Sequence, residues 1–236
     1  MLEYLKNKKI MVVVAHPDDE LLGLGATMHK LINEYSVQTH VLILGEGITS
    51  RGDERDPEQW EEELKVHKQN IKDAQAAIGY HSVSTYDFPD NRFDTVALLD
   101  IIKVIEKEKE QFQPEIIFTH HGGDLNIDHQ RTFEAVITAT RPMKDEVIKT
   151  IITFETPSGT EWQASSDPRR FVPNLFIEVS EEDVAAKIKG MESYEFEKRE
   201  WPHPRSPEAL KSISKERGIR VGKDHSEYFN IVRCIS

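Results

Sequence analysis

Ala15-His16-Pro17-Asp18-Asp19-Glu20 follows the apolar run Ile10–Val14 and precedes an apolar-periodic segment that begins at Leu21. That order reads as a buried strand, a loop and a helix. In an open parallel α/β sheet, ligands sit beyond the carboxyl ends of the strands, where this loop falls. The loop carries one imidazole and three carboxylates within five residues. Packing a core asks for no such set; a metal ion or a catalytic base does.

Outward from that loop, the periodicity predicts a helix from Leu21 to near Tyr35, with Leu21, Leu22, Leu24, Met28, Leu31 and Ile32 on one face. Gly23 and Gly25 at its start let it approach a sheet closely. A strand is expected over Val37–Leu44, then a long polar loop from Gly45 to Pro57, of a length that is often functional. A charged helix over Glu58–Ile78 is stopped by Gly79. A short strand at Thr85–Phe88, a helix from Thr95 to about Glu110 and a strand at Glu115–Thr119 follow. Helix resumes from about His129 to Thr140, with strands near Val147–Phe154 and Asn174–Val179. Ser180 with Asp183 caps a helix through Met191, and Ser206-Pro207-Glu208 starts another that runs to Arg217 and stops at Gly218. Between them Trp201-Pro202-His203-Pro204-Arg205 reads as rigid and extended. The alternation predicts an α/β fold over residues 1–236, one domain, with a mostly parallel sheet and helices on both faces. No Gly-x-Gly-x-x-Gly, Walker A or Gly-x-Ser-x-Gly motif and no internal repeat is present.

The composition narrows the function. At 236 residues, 38% hydrophobic and 31% charged, the chain can bury a sizeable core. A net charge of −12 argues against a sequence-independent nucleic-acid binder. Cys234 is the only cysteine, so neither a disulfide framework nor a thiolate metal knuckle is available, which suits a reducing cytoplasm. The apolar run near the start is too short for a signal peptide or a membrane span. A cytoplasmic protein with no membrane partner is the expectation.

A second strand end repeats the chemistry of the first. The strand at Glu115–Thr119 runs into His120-His121-Gly122-Gly123-Asp124-Leu125-Asn126-Ile127-Asp128-His129. If the two strands are parallel neighbours, His16, Asp19 and His129 can converge. Two imidazoles and one carboxylate around an open position is a catalytic-zinc arrangement, although other divalent ions accept the same donors. Asp18 can then face the metal-bound water and take its proton. Asp128, beside His129, is a candidate to orient a ring nitrogen.

These residues resemble the PIG-L/LmbE family of zinc-dependent N-deacetylases. The likeness covers the first motif, the Leu22-Gly23-Leu24-Gly25 helix entry, Phe88-Pro89-Asp90, Asp128-His129, and Ser226-Glu227-Tyr228-Phe229 before Arg233. It implies a Rossmann-like α/β fold and removal of acyl groups, usually acetyl, from amino sugars. It implies His16, Asp19 and His129 as zinc ligands and Asp18 as general base. The chain departs from the family where many members carry His-Pro-Asp-His, which here reads Asn126-Ile127-Asp128-His129. Asn126 can donate to an oxyanion but supplies no proton. Protonated Asp18, His225 or His121 is the expected source.

Asp90, Asn91 and Arg92 are candidates for binding sugar hydroxyls, a plain Pro-Asp-Asn turn being the other reading. Arg51 and Arg55 are candidates for a substrate phosphate or carboxylate, against solvated surface charge. One of His120, His121 and Asp124 is expected to line the site, while His29, His40, His67, His81 and His203 read as ordinary structural histidines. Trp162 and Trp201 are candidates for stacking on a sugar or for packing. The expected partner is a small N-acylated amino sugar, and a homo-oligomer is open. The alternatives are an amidase of the same fold acting on a thiol-sugar conjugate and a catalytically silent sugar-binding protein.

Overall fold

A computed structural model describes residues 1–52 and 54–235. Its strands are β1 Lys9–Val14, β2 Gln38–Gly45, β3 Ser82–Phe88, β4 Ile116–His120, β5 Thr150–Phe154, β6 Leu175–Glu178 and β7 Ser226–Cys234. The helices are α1 Leu2–Leu5, α2 Asp19–Leu22, α3 Gly25–Tyr35, α4 Glu61–Ile78, α5 Leu98–Phe112, α6 Ile127–Ala139, α7 Glu181–Ser193 and α8 Pro207–Ile219. The strands form one sheet in the order β3-β2-β1-β4-β5-β7-β6. The ladders from β3 through to β5 are parallel, and β7 runs antiparallel to both its neighbours.

Alternation along the central strands separates two cores. Ile10, Val12 and Val14 of β1 join the cluster containing α3, α4 and α7 residues such as Leu31, Ala74 and Met191. Met11 and Val13 join the opposite cluster, with Ile101 and Ile105 of α5 and Val136 of α6. A strand buried on both faces is apolar at consecutive positions, which is the pattern of Ile10–Val14.

β1 pairs with β2 on one side and β4 on the other. The chain leaves β1 across one face through α3 toward β2, and leaves β4 across the other through α6 toward β5. The two outgoing loops therefore part, and the crevice between them is the ligand position of a doubly wound sheet. Both His/Asp-rich loops leave from this point.

Several local boundaries differ from the sequence reading. The expected helix from Leu21 is two, α2 and α3, broken around Gly23 and Leu24. A Cβ on Gly23 would lie 2.2 Å from the Phe154 ring, so only glycine lets the break lie against β5. The Trp201–Arg205 segment is a series of turns rather than extended chain, with Ser206 N donating to His203 O. β7 itself was not anticipated. Its Ser226 and Glu227 are buried, and their polarity masks the strand pattern. Glu227 is balanced by the buried Lys187 of α7, 2.7 Å away, a partner that local sequence cannot reveal. Among the described residues no helix is long and apolar enough to cross a membrane.

Candidate active site

The first motif distributes its three carboxylates in three directions. Asp18 takes the left-handed conformation, φ 107°, which is costly for a residue with a Cβ. Its N–H donates to Glu20 Oε2 (3.0 Å), and its carbonyl accepts from Leu21 and Leu22 to start α2. Glu20 is itself buried, accepting from the Tyr194 hydroxyl at 2.7 Å, and burial raises its carboxyl to about 7. With this bracket in place, the adjacent Asp18 and Asp19 point apart. Asp19 turns inward, where its Oδ2 accepts the His16 N–H at 2.9 Å. Asp18 turns to Arg205, Oδ2 to Nη1 2.7 Å. Burial pushes the Asp18 carboxyl well above its ordinary range; Arg205 opposes the rise and Asp19 adds to it.

Three donor atoms converge across the crevice. His16 Nε2 lies 2.9 Å from Asp128 Oδ2, and a carboxylate only accepts, so that nitrogen carries the proton. His16 Nδ1 therefore presents its lone pair, 3.4 Å from Asp19 Oδ2. His129 Nε2 is 3.3 Å from the same oxygen, and its Nδ1 lies 3.1 Å from Asp124 Oδ1 without the alignment of a good hydrogen bond. The ligand atoms of His16, Asp19 and His129 all lie within 4.8 Å of one another. Metal bonds of about 2.0–2.1 Å in a tetrahedron put ligands about 3.3–3.4 Å apart. Two imidazole lone pairs aimed at one carboxylate oxygen repel unless a cation sits among them, so the donor set fits a divalent metal. The carboxylates outweigh burial in raising the pKa of both rings. His129 rises to about 9 through Asp19 and Asp124, and His16 rises well above its ordinary value through Asp128 and Asp19.

His120, at the end of β4, is a platform for His129: the rings stack at 3.8 Å and 10°. Ala15 N donates to its Nε2 at 3.0 Å, which leaves the proton on Nδ1 toward Thr156. Burial and the neighbouring His129 lower it to about 4, so the platform is neutral.

The remaining candidates divide. Asp128 orients His16, not its neighbour His129, and its other oxygen accepts Phe93 N at 2.8 Å. Asp124, expected among substrate contacts, lies fully buried behind His129 and accepts from the Thr160 hydroxyl at 2.6 Å. Asn126 caps α6, its Oδ1 accepting from Asp128 N, while its Nδ2 donates to Asn91 Oδ1 at 2.9 Å. Asp90, Asn91 and Asn126 line a cavity of about 260 Å³ together with His16, Asp18 and His129. Arg92 does not line it. Arg55 is clamped to Glu46 by two bonds of 2.8 and 3.0 Å and also stays out of the cavity wall, where Arg51 stands instead. His121 turns away to the Arg169 carbonyl, and His225 bonds Ser214 at 2.8 Å and lines a different cavity. Neither is therefore placed to serve the cluster.

Glu197, Arg199, His203 and Arg205 complete the wall, with Trp162 at its edge, 52% exposed. The sequence reading missed Glu197, Arg199 and Arg205 and passed over His203. The available signal was Trp201–Arg205 itself, a His and an Arg held between prolines.

The sequence profile of the PIG-L family, described as GlcNAc-PI de-N-acetylase, matches residues 11–140. An uncharacterised deacetylase of Escherichia coli K12, YaiS, is 27% identical over 199 residues, covering 80% of this chain and 91% of that protein. The N,N'-diacetylchitobiose deacetylase of Pyrococcus horikoshii superposes with a TM-score of 0.71 at 16% identity, over 96% of this chain and 84% of that one. GalB, the 4-carboxy-2-hydroxymuconate hydratase of Pseudomonas putida KT2440, superposes with a TM-score of 0.70 at 20% identity, over 97% and 98% of the two chains. The same fold thus carries a hydratase as well as a deacetylase, so the reaction has to be argued from the site.

Proposed function

The chain belongs to the PIG-L family, and from that premise we propose that it is a divalent-metal hydrolase, with zinc as the metal. It removes an N-acyl group, acetyl above all, from an amino sugar or its conjugate. The observation that carries this reading is the divergence of Asp18 from Asp19. One carboxylate joins two imidazoles in a metal-sized cluster, and its neighbour is left over beside it in the same cavity.

His16, Asp19 and His129 would hold the metal, which would supply Lewis acidity toward an amide carbonyl and would lower the pKa of a water toward about 7. Asp18 is placed to take a proton from the attacking water as its oxygen adds to the carbonyl carbon. When the carbon–nitrogen bond breaks, protonated Asp18 returns the proton to the leaving amine. Asp124 and Asp128 orient the ligating rings from behind. Asp90 and Asn91 face the cavity as partners for sugar hydroxyls, and Trp162 offers an apolar face for a sugar ring.

The test pairs metal content with acetate and amine release from a panel of N-acetylated amino sugars, for the wild type and Asp18→Asn. The expected result is about one metal per chain in both proteins. Turnover in the variant is expected to fall roughly 10²–10⁴-fold. A folded wild type that takes up no metal overturns the metal centre, and full turnover in Asp18→Asn overturns the base.

A further inference from the structure

Where the family resemblance leads one to expect a histidine, the second motif has Asn126. Its Oδ1 accepts from Asp128 N and its Nδ2 gives one of its two N–H groups to Asn91, leaving a single neutral donor with no charge to set against an oxyanion. His121 and His225 lie elsewhere. A carbonyl oxygen that gains negative charge still needs a donor on the protein side.

Arg205 has one to give. Its Nε donates to Ser158 Oγ at 2.8 Å, and its Nη1 donates to Asp18 Oδ2 at 2.7 Å and Glu197 Oε2 at 3.1 Å. These bonds fix the plane of the guanidinium, while Nη2 has no partner among the described residues. The side chain is 22% exposed and lines the same cavity as Asp18 and the two ligating imidazoles. The backbone that carries it is also held: Arg205 N donates to His203 Nδ1, and Ser206, next in the chain, caps α8. A guanidinium with one nitrogen left open, fixed against the general base, is a preorganised donor for charge that develops beside that base.

We propose that Arg205 is a catalytic residue whose Nη2 donates to the carbonyl oxygen of the scissile amide as that oxygen becomes an oxyanion, replacing the missing histidine. The proposal rests on the deacetylase reading. In the step it serves, water oxygen bonds to the carbonyl carbon, the carbonyl π pair moves onto oxygen, and one water proton moves to Asp18. The pair returns when the carbon–nitrogen bond breaks, and the proton goes to nitrogen. Arg205 gains and loses no proton, as its pKa is raised by Asp18 and Glu197 against the opposing effect of burial.

The experiment compares the metal-loaded wild type, Arg205→Gln, Arg205→Lys and Asp18→Asn. Acetate release from N-acetylglucosamine is measured together with calorimetric binding of its methylphosphonamidate analogue, whose tetrahedral phosphoryl oxygens stand in for the oxyanion. In Arg205→Gln, kcat is expected to fall roughly 10²–10³-fold with KM within about threefold. Affinity for the analogue should fall by the same factor, with partial recovery in Arg205→Lys, which keeps the charge. Asp18→Asn is expected to lose turnover and keep affinity for the analogue. If Arg205→Gln binds the analogue as tightly as the wild type while turnover falls, Arg205 only positions Asp18 and the proposal is overturned. Unchanged turnover overturns it too. A wild type that neither releases acetate nor binds the analogue overturns the deacetylase reading, and the proposal falls with it.

Discussion

His129 and His67 are both buried imidazoles on helices, 3% and 2% exposed, yet they are opposites electrically. His129 has Asp19 before one ring nitrogen and Asp124 behind the other, and its pKa rises to about 9 despite burial. His67, on α4, has no hydrogen-bond partner at either nitrogen among the described residues. It packs among aromatic rings, 5.7 Å from Tyr194 and 6.2 Å from Phe196. Burial lowers it to about 4, with Arg51 and His16 lowering it further and Asp90 opposing. The contrast teaches that residue type and burial do not by themselves set the charge of a ring; the carboxylates placed before and behind it do.

The sharpest break in the comparison comes from removing the ring itself. His129→Ala is expected to take metal content from about one per chain to near none and acetate release to background, read by elemental analysis and a coupled acetate assay. A variant that keeps its metal would remove His129 from the ligand set. Next comes the carboxylate behind each ring. Asp124→Asn and Asp128→Asn are expected to weaken metal binding about 10–100-fold in competition with a chelator, because an amide orients a ring without its charge. Equal affinity in both would mean that the rings are held by packing alone.

The smallest effect is on the other side. Below the ordinary imidazole value the unfolded chain takes up a proton that folded His67 refuses. The stability this residue contributes is therefore whole above about pH 6.5 and is lost as pH falls toward 4, by at most about 3 kcal/mol. His67→Leu should flatten denaturant-derived stability over that window while leaving turnover within about threefold. An unchanged pH slope would show that His67 is protonated in the fold.

The same contrast explains what the sequence disclosed. His16 and Asp19 lie three positions apart, and Asp128 adjoins His129, so the imidazole–carboxylate pairing was written locally and strand order completed it. The partnership was crossed, however: Asp128 serves His16, and His129 is served by Asp124. Which carboxylate backs which ring depends on how two loops meet, and spacing does not encode it. The 197–205 wall was less legible still, because Arg205 reaches Asp18 from 187 positions away. Arg55 and His225 looked available only because Glu46 and Ser214 cannot be assigned to them before the fold is known. Gly47 shows the converse. Its φ of +66° and the 3.0 Å left between a would-be Cβ and His67 Nε2 make any other residue there strained, yet a single glycine in a polar loop announces nothing.

The position of β7 bears on how the molecule comes into being. It lies inside the sheet, between β5 and β6, although it is the last strand in the sequence. Among the described residues β6 pairs with β7 alone, so during synthesis it waits some fifty residues, from Leu175–Glu178 to Ser226–Cys234, before it can join. The parallel half that carries both His/Asp loops can assemble earlier, and until β7 arrives β5 presents a bare apolar edge open to other chains. A ribosome paused before β7 would therefore hold a nascent protein with its two His/Asp loops in place and its sheet unsealed.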